Sequence, residues 1–371
     1  MYYTIMCYLF LFLLFNAALV ICKCSPTNCE ITNFDQVSDT VHRCSDIIIR
    51  NLDVPAGQTL ELDLKQGASL SFEGITTFDY TNWSGPLIRI NGSGFTIKGA
   101  PGSLLNGQGD LYWDHLGDKG PKKPQFIKIE AFDGSIIENI NLLNCPHHCV
   151  YVGKSDGLTI RGWVIDNSYG DQNNFTGHNT DGFDVSAASN LIIEDSTVIN
   201  QDDCIAIRHG YNILVRNMYC AGGHGLSLSA GFSYTTFQEN TITNVVIKDS
   251  VIARSANGIH VKTHADAYNG RIQNVTYENI FMSGLINYGI NVQQDYVNGS
   301  ATGVANNNIP IYNLNLINIR GTVRDSDSEK SMPVYINCGK SACHEWSWSN
   351  INIAGGSNSS ICNYTPDGYQ C

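Results

Sequence analysis

The chain has 371 residues, of which 43% are hydrophobic and only 15% charged, a balance that excludes a disordered polyelectrolyte. Its 34 acidic residues outnumber the 22 Lys and Arg, for a formal net charge of −12, which excludes a general electrostatic grip on nucleic acid. Length does not set the domain count, because repeat folds run well beyond an average domain.

From the N-terminus, Leu9 to Val20 is an apolar run that suits a secretory h-region and is too short to span a bilayer. Residues 1–24 therefore read as a signal peptide, and residues 25–371 as the exported, extracellular part. Small residues permit cleavage after Cys22 or Cys24. No later segment is apolar enough for a membrane. Cutting after Cys24 leaves Cys29, Cys44, Cys145, Cys149, Cys204, Cys220, Cys338, Cys343, Cys362 and Cys371, an even set. In an oxidising compartment they read as five disulfides between sequence neighbours, 29 with 44, 145 with 149, 204 with 220, 338 with 343 and 362 with 371. Zinc is disfavoured, since the cysteines are scattered and no CxxC occurs. Sequons at Asn82, Asn91, Asn174, Asn274, Asn298, Asn358 and Asn363 suit a secreted glycoprotein.

Short β-branched segments then recur. They begin at Ile136, Leu158, Leu191, Ile213, Val245 and Val275, separated by 22, 33, 22, 32 and 30 residues, with Gly and Asn clusters between them. No helical period persists. A repeat of this length built from several short strands fits a solenoid better than a sandwich, and the expected fold is all-β, a right-handed parallel β-helix of one domain. Its ends need covers: Cys29 to about Pro55 is expected to form a helical cap, and Cys338 to Cys371 to close the other end.

Within the solenoid, Asn179-Thr180-Asp181, Gln201-Asp202-Asp203 and Gly223-His224-Gly225 recur at offsets of 21 and 22 residues. Residues one coil apart stand ~4.8 Å from each other. Asp181, Asp202, Asp203 and His224 should therefore form one vertical patch. Solenoids also stack Asn and Asp merely to satisfy turns, but crowded carboxylates repel unless one holds a proton, which is how a general acid is made. One carboxyl to protonate a leaving oxygen and another to activate water is what glycoside hydrolysis requires. A serine triad has no support, for no GxSxG elbow is present. Lys262, in His260-Val261-Lys262, and Tyr296, in Gln294-Asp295-Tyr296, follow in later coils. A lysine beside the acids could hold the carboxylate of an acidic sugar. Arg208 and His209, just past the acid pair, could add positive potential, whereas His147, His148, His178 and His264 carry no readable signal.

Asn179-Thr180-Asp181, Asp202-Asp203, Gly223-His224-Gly225 and the position of His260-Val261-Lys262 resemble the four signature motifs of the polygalacturonases, glycoside hydrolase family 28. Val54-Pro55-Ala56-Gly57-Gln58-Thr59-Leu60, Asn106-Gly107-Gln108-Gly109 and Cys338-Gly339-Lys340-Ser341-Ala342-Cys343 extend the likeness, which is to the fungal-type endo-acting enzymes also found in plant-feeding insects. The resemblance implies inverting hydrolysis of α-1,4 bonds in homogalacturonan. Asp202 would be the general acid, Asp181 and Asp203 would position and activate water, and His224 would support their ionisation. Asn179, His260, Lys262 and Tyr296 would meet substrate. It further implies pectic polysaccharide and plant polygalacturonase-inhibiting proteins as partners of a monomer that uses no cofactor, metal, nucleic acid or membrane.

One departure stands out, since the family usually has Arg where this chain has His260. If His260 takes over the contact, its hold on a carboxylate requires a protonated imidazole and favours acid pH. The loss also leaves room for a catalytically weak pectin-binding decoy. Rhamnogalacturonan hydrolysis or exo cleavage are the remaining hydrolytic alternatives. A pectate lyase, which shares the fold, would need calcium and a basic residue instead.

Overall fold

In a computed structural model, the protein is described over residues 29–172, 176–297, 299–325 and 330–371. The expected signal peptide and the sequons Asn174 and Asn298 lie outside the described residues; the other five sequon asparagines are exposed. No helix among the described residues is long and apolar enough to cross a membrane.

The strands pair in parallel from coil to coil, apart from a short antiparallel return of Tyr296–Val297 onto Ser300–Ala301. The result is the expected parallel β-helix, right-handed as parallel crossovers are. Alternation within the long strands explains it. In Thr241–Ala253 the buried residues Ile242, Val245, Ile247, Ser250 and Ile252 face inward while their neighbours face out. Like side chains then stack. Phe183, Ile205, Leu226, Ile259, Ile290 and Val334 form one column through successive coils. Ile193, Val215, Ile247, Tyr277, Leu316 and Trp348 form another. Each such side chain contributes ~1.5–3 kcal/mol by leaving water. One continuous apolar core runs from Ile31 to Trp348.

The corners are turned by asparagines. Asn190, Asn212, Asn244, Asn274 and Asn313 all adopt left-handed backbone, with φ between 51° and 57°, a conformation that Asn tolerates because its amide can bond locally. Each side-chain amide from Asn212 onward donates to the Oδ1 of the one before it, at 3.2, 3.2, 3.0 and 3.0 Å.

Both ends are covered, the N-terminal one by a shorter helix than expected, since Asp46–Arg50 and Asp53–Val54 are already strands of the first coils. At the N-terminal end the helix Val37–Arg43 buries Val37 and Val41, and a capping box of Asn33 and Gln36 starts the 3-10 turn before it. At the other end Trp346 and Trp348 stack with their rings 6.1 Å apart, and Tyr364 and Tyr369 pack on them. All five expected disulfides are present.

Candidate active site

The acids come together at the mouths of neighbouring coils. Gly182 N–H donates to Asp203 O at 2.9 Å and Cys204 N–H to Gly225 O at 3.0 Å, so the backbone ladder puts Asp203 one rung from Asp181, with His224 one rung further. Asp202 sits beside Asp203. The offset of 21 residues had aligned Asp202 with Asp181, but the coil from Phe183 to Ile205 takes 22 and the next, from Ile205 to Leu226, takes 21. The patch is the expected one, shifted by one residue.

Each carboxylate is held differently. Asp202 accepts the Asp203 N–H at 2.7 Å, faces His224 Nδ1 at 3.1 Å and takes a long bond from Asn179 Nδ2 at 3.4 Å. Asp203 is bound by Lys262 Nζ at 2.8 Å and the Ser227 hydroxyl at 2.7 Å. Asp181 Oδ1 is buried without a hydrogen bond, and its nearest charged neighbour is His148 Nε2 at 3.6 Å. His148 Nδ1 lies 2.9 Å from Asp184, which also receives Arg208 Nη2 at 2.7 Å. Beneath them the Asn200 amide donates to the carbonyls of Thr180, Asp202 and Asp203. It ties two rungs into one rigid floor.

These contacts set the charges. Burial and the adjacent charges of Asp202 and Asp184 push Asp181 well above the ordinary carboxylate range. Burial pushes Asp202 the same way, but His224, Lys262 and the Asp203 N–H outweigh it and hold Asp202 below that range. Burial opposes charge on His224, yet Asp202 and Asp203 lift it to about 9, tempered by solvent on the 44% of its side chain that is exposed. Burial likewise opposes charge on His148, and Asp184 and Asp181 raise it to about 9. Both His148 and His224 therefore hold a proton at neutral pH, and Asp181 gives up its own less readily than Asp202 does. Asp202, expected as the acid, is ionised there.

Lys262 is buried, and burial opposes its charge, but Asp203 raises it all the same. Its ammonium also lies 5.0 Å over the Tyr296 ring. Asp202, Asp203 and His224 bring ligand-type atoms within 4.8 Å of one another; Lys262 and His224 already supply the positive charge those oxygens face.

His260 departs from its expected role. It shares a strand face with Lys262, but burial and then the charges of Lys262 and His224 push it well below the usual imidazole range. It is neutral at pH 7, and the expected protonated grip on a carboxylate would need a more acid pH than an ordinary imidazole does. His148, Asp184, Ser227 and Asn200 went unread in the sequence. For His148 a signal existed: it precedes Asp181 by 33 residues, the same coil offset that separates Leu158 from Leu191.

Comparison with known proteins fits this geometry. The model of the glycosyl hydrolases family 28 matches residues 44–371. A polygalacturonase of Phaedon cochleariae is 47% identical over 362 residues, covering 96% of this chain and 97% of that protein. Endopolygalacturonase I of Aspergillus niger is 40% identical, over 93% of this chain and 91% of its own. Among solved structures, endopolygalacturonase I of Stereum purpureum, in complex with two galacturonates, superposes with a TM-score of 0.79 at 32% identity, covering 90% of this chain and 96% of that one. With the acid cluster on its solenoid and a family match over most of its length, the chain belongs to glycosyl hydrolase family 28.

Proposed function

We infer that the protein is a secreted, endo-acting polygalacturonase that hydrolyses α-1,4-galacturonosyl bonds of homogalacturonan with inversion. The observation that carries this reading is the Asp202–His224 pair, 3.1 Å apart, with Asp181 on the adjoining rung. Hydrolysis needs one group that gives a proton to the leaving oxygen and one that takes a proton from water. Asp202 is the acid: its side chain is 16% exposed, against 8% for Asp181 and 3% for Asp203. Coupled carboxyls share protons as a unit. An anionic galacturonate entering the cluster raises the proton affinity of Asp202, which takes its proton from His224, 3.1 Å away. Asp181, ionised once its own proton has gone to solvent, and Asp203, fixed by Lys262, orient and deprotonate the water. The glycosidic C–O bond breaks as the leaving oxygen takes the acid's proton, and the water oxygen bonds to the anomeric carbon from the opposite face.

Lys262, Tyr296, Asn179 and the neutral His260 line the position of the substrate. A decoy role gains nothing from this geometry, in which every group of an acid and base pair is in place. Pectic polysaccharide is the substrate, plant inhibitor proteins are potential partners of the cleft, and a monomer is expected. The test is incubation of purified protein with polygalacturonic acid. New reducing ends, a ladder of intermediate oligomers and a first-formed β anomer by NMR are expected. Release of monomer alone would refute endo action, a first-formed α anomer would refute inversion, and silence from folded protein would refute the hydrolase.

A further inference from the structure

Besides His148 and His224, two cations stand beside the acid cluster, Lys262 and Arg208. The register Ile207 to Leu228 to Val261 places Arg208, Ser229 and Lys262 in one column, so Arg208 stands two rungs from Lys262, about 10 Å along the axis at ~4.8 Å per rung. Its guanidinium is poorly used by the protein. Nη2 donates to Asp184, Nε is buried with no partner, and Nη1 is neither hydrogen-bonded among the described residues nor buried. Asp184 faces both Arg208 and the His148 imidazole. His148 also faces Asp181 at 3.6 Å, so Asp184 is the one hydrogen-bond acceptor that Arg208 has among the described residues.

Arg208 also lies 4.8 Å over the ring of Phe232, and that ring is 47% exposed. The contact continues: Phe232 is 4.5 Å from the His264 ring, His264 is 5.2 Å from Tyr296, and Tyr296 carries Lys262. An unbroken arc from Arg208 through Phe232, His264 and Tyr296 to Lys262 therefore borders the cluster, with a cation at each end. Two cations at this spacing, joined by rings on which sugar C–H faces stack, match a polymer that repeats a carboxylate along its length. Arg is also the side chain best shaped to take a carboxylate through two N–H groups at once.

We propose that Arg208, braced by Phe232, is a second carboxylate-binding position of the cleft, taking a uronate unit of the same chain that Lys262 holds nearer the reacting bond. The proposal rests on the galacturonan reading above. It is tested with Arg208→Gln, Arg208→Lys and Phe232→Ala on oligogalacturonides from trimer to hexamer, following kcat, KM, bond-cleavage frequencies and the pH profile. Arg208→Gln should lower kcat/KM on the hexamer about tenfold, the scale of one charged hydrogen bond, while sparing oligomers too short to reach it. Lys should restore part of the loss. Phe232→Ala, which removes an exposed ring and leaves Asp184 untouched, should shift the cleavage pattern in the same direction.

A loss in kcat equal at every length, with a displaced pH profile, would instead make Arg208 a support for Asp184 and His148, and unchanged cleavage patterns in all three variants would overturn the proposal. Wild-type protein inactive on polygalacturonate would refute the hydrolase reading separately. Calorimetric binding of hexagalacturonate to the same variants would still decide the subsite, equal affinities counting against it.

Discussion

Asp202 and Asp181 are both carboxyls near the same cleft, yet their surroundings shift their proton affinities in opposite directions. Replacing Asp202 with Asn keeps its volume and removes the transferable proton, so kcat should fall by ~10²–10⁴-fold. Calorimetry should show oligogalacturonide affinity little changed, and a variant keeping a third of wild-type turnover would remove Asp202 from the mechanism. The pH profile of kcat/KM follows from the two shifted groups. A histidine raised to about 9 is cationic below that pH and loses its proton above it, so activity should decline as pH rises through about 9. Asp181 must shed its proton to act as base, and since its carboxyl is raised, the acid limb should lie above the ordinary carboxylate range. An alkaline limb that survives unchanged in His224→Gln would contradict this origin.

The same raised carboxyl has a consequence for stability. A folded-state pKa above the unfolded one means that the stabilising contribution is complete at acid pH and is lost as pH rises. Once ionised, Asp181, whose buried Oδ1 accepts no hydrogen bond, is therefore a burden on the fold. Asp181→Asn should raise the melting temperature by about 2 °C or more near pH 7, with the gain vanishing toward pH 4, while hydrolysis is lost. A melting temperature that drops at neutral pH would show that Asp181 is structurally satisfied. Motif spacing made Asp181, Asp202, Asp203 and His224 legible because a coil repeat converts sequence offset into proximity. The neutrality of His260 was not legible, since it comes from burial next to Lys262 and His224, and a one-dimensional pattern carries no such information.

At the scale of an element, the asparagine ladder shows how a coil turns without a tight hairpin. Asn244 both donates to Asn212 and accepts from Asn274, and its φ is 57°. Asn244→Ala forfeits two hydrogen bonds and leaves in left-handed backbone a residue without the side-chain amide that makes Asn tolerant of it, together about 2–4 kcal/mol. Asn244→Gly keeps the backbone at ease and should lose about half as much by chemical denaturation. Equal losses in the two would mean that the conformation contributes nothing. The strands of this element were readable from their β-branched starts and the intervening Asn clusters. Coil length was not, because the outward loops vary and a step of 21 or 22 residues differs only in how the chain bends between strands. That single residue decides whether Asp202 or Asp203 stands in line with Asp181.

Across the whole molecule, a formal charge of −12 repels a polyanionic substrate at long range, whereas the Lys262 and Arg208 contacts act within a few ångströms. Salt separates the two: the screening length shrinks from about 30 Å at 0.01 M to about 10 Å at 0.1 M. Polygalacturonate kcat/KM should therefore rise over that interval and fall again near 1 M, where short contacts weaken as well. A monotonic decline from the lowest salt would show that local attraction governs the approach. Parallel stacking, described above only as the source of the core, also makes the molecule a gauge. Every added turn lengthens the floor by one fixed increment of ~4.8 Å and touches only the turns on either side. Grafting a coil ahead of Ile88, several turns before the acids, would thus extend the track on which a polymer lies while leaving the cutting point untouched, so the length of product could be set by counting turns.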